Sequence, residues 1–374
     1  MVVEARNEQA TATCGESDSR DPATTAGAAA GESKDGRRPV VRAPRSNPGS
    51  PSPSSTPLSP STTPRRTLRR RIRARAIDLG AGVVGRLPEG PLIVLAEATG
   101  EAWYRAAPKR AGQARLNLQR VCAGLAAQGR GSDRVRAAAT DPAALERLVR
   151  SAFRHAARYY LEVARTPRMD ADYLRDRLVV ETPKAVAEAF ESGHPAIFVG
   201  MHFGAIELPT LLLVQTSGRT ATAPMETIDD PDLQAWFLRT RGASGIRIVG
   251  LREARRELTS ALRRGDPVGI VGDRDLTGGG IDVPLFGVPA PLPAGPGLLA
   301  METDARIYVM AVRRTGRGRY RGRVEFVPVP TEGSRRERLT EFLAAEAQAF
   351  ERAIADAPDQ WWAVFFPIWP DLVA

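Results

Sequence analysis

Two ionisable residues, His202 and Glu207, interrupt the apolar stretch FVGMHFGAIELPTLLL. Burying either group without a partner costs free energy, so the pair needs a structural or a chemical reason. On one continuous helix a spacing of five would place the side chains about 140° apart, but a histidine before the helix could meet a glutamate on its first turns. A carboxylate bonded to one imidazole nitrogen raises the basicity of the other. The spacing therefore favours a His202–Glu207 general base for a hydroxyl, with a satisfied structural pair as the alternative.

A second polar group follows a later apolar stretch, in GDRDLTGGGIDVPLFG. Asp273 and Asp275 flank Arg274 where a buried strand should end, and active sites of open α/β sheets lie at such carboxyl ends. Three consecutive glycines allow the backbone to approach a ligand closely, but the G-x-x-x-x-G-K-[ST] phosphate loop is missing. Asp273 and Asp275 are therefore candidate substrate-binding residues near His202. The alternative is an ordinary turn in which both acids cap the backbone or pair with Arg274.

Two arginines, Arg239 and Arg241, end a predicted helix in FLRTRGASG. Cations at a helix C-terminus can simply compensate the helix dipole on the surface. They can also reach into a cleft to bind a phosphate group or to stabilise a developing oxyanion. Both interpretations stay open for these candidate substrate-binding residues.

The remaining histidines and the cysteines exclude two classes of enzyme. His155 lies within a helical pattern, as a structural histidine would, and His194 lies in a turn. No H-x-x-x-H or C-x-x-C spacing is present, so we expect no metal site. No G-x-S-x-G motif supports a serine hydrolase.

Helix and strand patterns predict the framework that positions these residues. Residues 91–192 show helical periodicity, and residues 193–374 alternate buried strands with helices. Four strands are predicted at AIFVG, TATAPM, GIRIVG and PVGIVGD, then a long Gly/Pro-rich loop, the paired strands RIYVMAVRR and YRGRVEFVPV, and a helix over 334–355. This order predicts an α/β fold, a mostly parallel central sheet flanked by helices and preceded by an N-terminal helical region.

The positive charge is concentrated at the N-terminus. The chain carries a net charge of +10, of which residues 1–75 supply +7. Residues 1–64 are rich in Ala, Gly, Ser, Thr and Pro and are predicted to be disordered. Residues 65–90 have apolar positions at helical spacing between arginines, which favours a basic amphipathic segment on an anionic membrane surface or a helix packed on the domain. No nucleic acid partner is expected, nor is a signal peptide or a membrane-spanning helix.

The ordered motifs resemble those of the bacterial lipid A lauroyl acyltransferase family. They are RLNLQRV, GMHFGAIE with its H-x4-[DE] signature, LRTRGASGIRIV, GDRDL followed by VPLFGVPAPLPAGPGLLA, and QWWAVFFPIWP. The resemblance covers roughly residues 76–374. Within the family, GDRDL is most similar to the phosphatidylinositol mannoside acyltransferases.

The resemblance implies a glycerolipid acyltransferase-like fold over residues 91–374 and a fatty acyl transferase activity. The donor would be acyl-CoA or acyl carrier protein, with no other cofactor, and the acceptor a hydroxyl of a membrane glycolipid similar to phosphatidylinositol mannoside. Carried onto this chain, His202 would be the general base and Glu207 would orient it. Arg241 would bind substrate or the oxyanion, and Asp273 and Asp275 would shape the pocket.

The resemblance also implies a peripheral protein on the cytoplasmic face of the plasma membrane. The apolar loop VPLFGVPAPLP is expected to line an acyl channel or to meet the membrane. A lipid A-like sugar or a lysophospholipid is the alternative acceptor. A non-catalytic lipid-binding protein is the alternative from another class.

Overall fold

A computed structural model describes residues 68–276 and 278–373 of the chain. Within the first helix, side chains are described at Arg75 and from Asp78 onward. The predicted disordered tail, residues 1–64, lies outside the described residues, as do the side chains of most arginines in the basic segment.

The N-terminal part of the described chain is helical. Asp141 caps the longest of these helices by accepting hydrogen bonds from the backbone N–H groups of Ala143 and Ala144, which satisfies donors that a helix start leaves open. The helices are α1 Leu68–Arg86, α2 Glu89–Ala106, α3 Pro108–Ala127, α4 Asp133–Thr140, α5 Pro142–Arg165, α6 Ala171–Arg177 and α7 Pro183–Glu191. A short strand, β1 Leu178–Val180, interrupts the stretch that the sequence predicts as wholly helical, because it pairs with a strand far along the chain.

A seven-stranded sheet forms the centre of the fold, and the predicted α/β class is confirmed. The strand order is β1-β9-β8-β2-β5-β3-β4, and only the β8–β9 pair is antiparallel. Its further strands are β2 Ala196–Gly200, β3 Ala221–Met225, β4 Ile246–Gly250, β5 Val268–Val271, β8 Arg306–Gly316 and β9 Arg319–Val327. The helices that connect and cover them are α8 Glu207–Ser217, α9 Pro231–Gly242, α10 Ala254–Arg263, α11 Gly295–Thr303 and α12 Arg335–Ala355.

The predicted Gly/Pro-rich loop contains a hairpin, so that prediction is wrong for residues 281–292. Strands β6 Ile281–Leu285 and β7 Val288–Leu292 pair across a two-residue turn at Phe286 and Gly287, with φ of 52° and 81°. Positive φ at both residues matches the right-handed twist of a tight hairpin. Most apolar side chains of the hairpin are buried in the main core.

None of the described helices combines the length and the apolar character that crossing a bilayer requires. The main core instead joins the helical N-terminal part to the sheet, the hairpin, α12 and the C-terminal aromatic segment. That continuous packing holds the strand ends in fixed positions.

Candidate active site

Sheet register brings His202 and Asp273 together. Strands β2 and β5 are adjacent and parallel, with their last residues, Gly200 and Val271, in register. His202 and Asp273 each follow two residues later. Because the carboxyl ends of parallel strands share one edge of the sheet, these side chains meet there.

The contact between them is a short, partly buried hydrogen bond. Nδ1 of His202 lies 2.7 Å from Oδ1 of Asp273. The other carboxylate oxygen accepts from the backbone N–H of His202 at 2.9 Å and from Nε1–H of Trp361 at 2.7 Å. Asp273 is 2% exposed. Burial raises the pKa of Asp273, but attraction to the His202 ring and these hydrogen bonds outweigh burial and hold the pKa below its ordinary value.

The predicted His202–Glu207 pair is wrong, because Glu207 has another partner. Its carboxylate lies at the start of α8 and accepts from Arg241 of α9, with Nη2 to Oε1 at 2.7 Å and Nε to Oε1 at 3.2 Å. Both side chains are largely buried, and a buried carboxylate is most stable beside a cation. Burial lowers the pKa of Arg241, but the Glu207 carboxylate and Tyr159 outweigh burial and raise it.

Other donors of Arg241 have weaker acceptors. Nη2 also lies 3.4 Å from the Tyr159 hydroxyl, and Nη1 donates to Sδ of Met225 at 2.9 Å. A thioether is a weak acceptor. Arg241 is therefore held in place by Glu207 while one of its nitrogens keeps capacity for a stronger acceptor.

The loop that carries His202 is fixed on both sides by backbone hydrogen bonds. Gly204 N–H donates to Gln360 O at 2.9 Å, and Trp362 N–H donates to His202 O at 2.9 Å. Gly204 has φ of 53°, and a Cβ atom there would collide with the carbonyl of Val312. Only glycine fits this close approach without strain.

Two tryptophans complete the surroundings of the histidine and were not predicted as site residues. Trp361 donates to Asp273, and the Trp362 ring meets the His202 ring edge to face at a centroid distance of 4.4 Å. The only sequence signal was the aromatic cluster QWWAVFFPIWP, whose position at the end of the chain gave no indication of its spatial neighbours.

Two predicted residues lie elsewhere. Arg239 forms a surface ion pair with Asp78 of α1 at 2.6 Å, so the structure does not bring its side chain to the histidine. Asp275 accepts from the backbone N–H groups of Gly278 and Gly280 at 3.1 and 2.7 Å. It shapes the glycine-rich turn, as the alternative interpretation of the sequence expects.

A pocket opens between the sheet and α8 beside the His202–Asp273 pair. Met201 and Phe203, the neighbours of His202, line it together with Glu207 and Arg241. Its volume is about 80 Å³, which is smaller than the roughly 300–1,000 Å³ of typical small-molecule sites. Most of the other lining residues are apolar and come from the strands, among them Phe198, Ala223, Ile246, Ile248, Ile270 and Met310.

Comparisons with known proteins give one family and a consistent set of relatives. The family model described as bacterial lipid A biosynthesis acyltransferase matches residues 79–366. A phosphatidylinositol mannoside acyltransferase of Mycolicibacterium smegmatis is 30% identical over 165 residues, which cover 43% of this chain and 54% of that protein. One of Mycobacterium tuberculosis is 31% identical over 167 residues, covering 43% and 52%. The chain thus spans about half the length of the curated relatives that it matches.

Proposed function

This chain belongs to the bacterial lipid A biosynthesis acyltransferase family, and we propose that it transfers a fatty acyl group from a thioester to a hydroxyl group of a membrane glycolipid. The observation that carries the proposal is the 2.7 Å contact between His202 Nδ1 and Asp273 Oδ1. A carboxylate on Nδ1 fixes the tautomer and leaves Nε2 as the nitrogen that accepts a proton.

His202 acts as general base and then as general acid. Nε2 takes the proton of the acceptor hydroxyl while the hydroxyl oxygen forms a bond to the thioester carbonyl carbon. The tetrahedral intermediate collapses with loss of the carbon–sulfur bond. The leaving thiolate takes the proton from the imidazolium, so an ester and a thiol form and His202 returns to its neutral state. Asp273 stabilises the imidazolium between these steps.

Arg241 stabilises the negative charge that develops on the carbonyl oxygen. Its Nη1 exchanges the weak Met225 acceptor for the oxyanion, while Glu207 keeps the guanidinium in position. Donors fixed before the reaction are effective because no reorganisation is needed when the charge develops. Glu207 is thus a positioning residue for Arg241 rather than for His202.

The acyl chain occupies the pocket between the sheet and α8. The pocket is apolar along the strands and reaches the catalytic loop at Met201 and Phe203. Since its volume of about 80 Å³ is below that of typical small-molecule sites, entry of a long chain requires the pocket to widen.

The α1–α2 turn places the enzyme on the membrane. Five large apolar side chains are exposed around this turn: Leu79, Val83, Leu87, Val94 and Leu95. Arginines accompany them, Arg75 and Arg86 among the described side chains and RRTLRRRIR in the preceding sequence. Apolar residues with flanking cations suit the interface of an anionic bilayer, and we place the protein on the cytoplasmic face of the plasma membrane.

The acceptor that we propose is similar to phosphatidylinositol mannoside, the substrate class in the names of the relatives. Acyl-CoA or acyl carrier protein serves as the donor. A lipid A-like sugar and a lysophospholipid are the acceptors to compare with it.

Acyl transfer to defined acceptors tests the proposal. The full chain is incubated with labelled palmitoyl-CoA and vesicles that contain one of the three acceptors. We expect an ester product, with at least about a 100-fold lower rate for His202→Ala and an unchanged rate for His194→Ala, an exposed histidine of a turn.

Unchanged turnover by His202→Ala would refute the catalytic base. Binding of acyl-CoA and lipid without transfer to any acceptor would make the chain a non-catalytic lipid-binding protein.

A further inference from the structure

Two arginines share one aromatic ring beside the His202–Asp273 pair. The guanidinium carbon of Arg274 lies 3.8 Å from the centroid of the Phe366 ring, and that of Arg110 lies 5.5 Å from it. Stacking on an aromatic face orients a guanidinium while leaving its N–H edge accessible to other groups.

Neither arginine has a carboxylate partner among the residues that the structure describes. Both oxygens of Asp273, which precedes Arg274, are already bonded to His202 and Trp361, and the carboxylate of Asp275, which follows it, accepts from the backbone N–H groups of Gly278 and Gly280. Arg274 is partly buried, and this burial lowers its pKa despite the attraction of Asp273 and Glu226. A partly dehydrated cation without an ion pair is unusual, because such charges are normally compensated.

A third stacked arginine shows what compensation looks like in this protein. Arg120 lies 5.2 Å from the Trp369 ring and also forms a bidentate ion pair with Asp371, at 2.7 and 2.6 Å. Aromatic stacking by itself therefore does not distinguish the two arginines on Phe366. Arg274 and Arg110 differ from Arg120 because neither has a carboxylate partner among the described residues.

The position of Phe366 is fixed relative to the catalytic histidine. Asn117, which is fully buried, donates to the backbone carbonyls of Val364 and Phe366 at 2.9 and 2.8 Å. Four residues before Phe366, Trp362 contacts the His202 ring. Arg274 directly follows Asp273. An anion held on Phe366 would consequently lie at the same edge of the sheet as the reacting groups.

We propose that Arg274 and Arg110 bind a phosphate group of a substrate whose reacting end is held at His202. The planar fork of a guanidinium matches phosphate oxygens, and two forks suit a diester or a pyrophosphate. This inference rests on the proposed function and adds a binding site for the phosphate. The phosphate can come from the donor, as in coenzyme A, or from the head group of the acceptor.

Kinetics with donors that carry or lack phosphate locate the source. The full chain, Arg274→Gln, Arg110→Gln and the matched control Arg120→Gln are assayed with palmitoyl-CoA and with a palmitoyl thioester of N-acetylcysteamine. We expect Arg274→Gln to raise the KM of the phosphate-bearing substrate about tenfold or more, since charged hydrogen bonds are lost. Arg110→Gln raises it less, because Arg110 is more exposed, and Arg120→Gln leaves it unchanged.

The substrate whose KM rises in Arg274→Gln is the one that carries the phosphate. A higher KM for palmitoyl-CoA but not for the phosphate-free thioester assigns the site to the donor. A higher KM for a phosphate-bearing glycolipid with both thioesters assigns it to the acceptor. Unchanged KM values for both substrates in Arg274→Gln, or an equal effect of Arg120→Gln, would overturn the proposal.

Direct binding separates this inference from the proposed activity. Binding of coenzyme A by calorimetry, and of vesicles with and without phosphatidylinositol by sedimentation, is measured on the same variants and on Arg274→Lys. We expect about a tenfold loss for Arg274→Gln in one assay and partial retention for Arg274→Lys, which keeps the charge without the fork. Binding that depends on Arg274 in a protein without transferase activity would support the site while refuting the reaction, and equal binding by all variants would refute the site.

Discussion

Two histidine–aspartate pairs lie near the C-terminal aromatic segment: Asp359 belongs to one pair, and Trp361 donates a hydrogen bond to Asp273 of the other. Only the His202–Asp273 pair is at the hydrogen-bond distance that a general base requires. In the His202–Asp273 pair, Nδ1 and Oδ1 are 2.7 Å apart. In the His155–Asp359 pair, Nε2 and Oδ2 are 3.7 Å apart. The second distance exceeds that of a hydrogen bond.

The two aspartates differ in what else they bind. Oδ2 of Asp359 accepts from Ser151 Oγ at 2.6 Å and from Arg134 Nη2 at 2.7 Å, so its charge is already compensated. In contrast, Oδ1 of Asp273 is hydrogen-bonded to Nδ1 of the His202 ring. The His202 ring thus has a carboxylate oxygen at hydrogen-bond distance, whereas the His155 ring lies beyond that distance from Asp359.

The two histidines differ in the charges around them. The pKa of His155 is lowered to about 3, chiefly by burial, because the attraction of Asp359, which raises it, is opposed by burial and by the nearby cations Arg314 and Arg158. His155 is therefore neutral at pH 7 and too weakly basic to take a proton from a hydroxyl. The two pairs thus differ in the distance between ring nitrogen and carboxylate and in the burial of the histidine.

Replacing the aspartate of the first pair should give the largest effect. Asp273→Asn keeps the shape but removes the charge that stabilises the imidazolium, so we expect kcat to fall about 10²–10⁴-fold. Steady-state kinetics at saturating donor measure the change. Activity within threefold of the wild type would show that Asp273 does not assist His202.

The fall in the free energy of unfolding at acidic pH gives an independent test of the contacts of Asp273. Its folded pKa is depressed, so its contribution is complete above the ordinary aspartate value of 3.8 and is lost as the pH falls through the folded value. Urea unfolding from pH 5 downward should show this loss in the wild type and less of it in Asp273→Asn.

Replacing the glutamate that the sequence pointed to should act mainly on stability. Glu207→Gln leaves the largely buried Arg241 without its carboxylate, so we expect the free energy of unfolding to fall by about 3–5 kcal/mol. We expect kcat to fall about tenfold, because Arg241 loses its orientation near the oxyanion. Urea unfolding and kinetics on the same preparation measure both.

A surface ion pair provides the control for Glu207. Glu257→Gln removes the partner of Arg247 in an exposed pair and should leave the unfolding midpoint and the activity unchanged. A loss of kcat in Glu207→Gln as large as that of Asp273→Asn would return Glu207 to the role of partner to His202.

Replacing the histidine of the second pair should give the smallest effect. His155→Gln should change kcat by less than about threefold, because a neutral side chain replaces a neutral side chain away from the reacting groups. A loss of kcat comparable to that of His202→Ala would contradict the distinction between the two pairs.

The pH dependence of stability should nevertheless change in His155→Gln. The folded pKa of about 3 lies below the unfolded value of 6.5, so the unfolded wild type binds a proton over this range and stability falls as the pH drops from 6.5 toward 3. His155→Gln removes that contribution, and urea unfolding at pH 7 and pH 4.5 should differ less than in the wild type.

Much of the framework could be predicted from the sequence. Strands β2 to β5 and the helices between them have local signals, such as the apolar AIFVG and the acidic start of the helix that ends at Gly242. The hairpin at residues 281–292 was missed because prolines obscure its alternation and Phe286 adopts an uncommon positive φ. Strand β1 was missed because its pairing partner, β9, lies more than a hundred residues away.

The sequence by itself determined that His202 and Asp273 each follow a buried strand, since strand patterns are local. It did not determine the partner of His202, because the spacing favoured Glu207, and the local pattern predicted Asp273 only as a substrate-binding or turn residue. Only the tertiary structure decided that, through the adjacency of β2 and β5 and their register at Gly200 and Val271. Trp361 and Phe366 reach the same edge for the same reason: long-range packing, which no local pattern encodes, brings the end of the chain to the ends of its central strands.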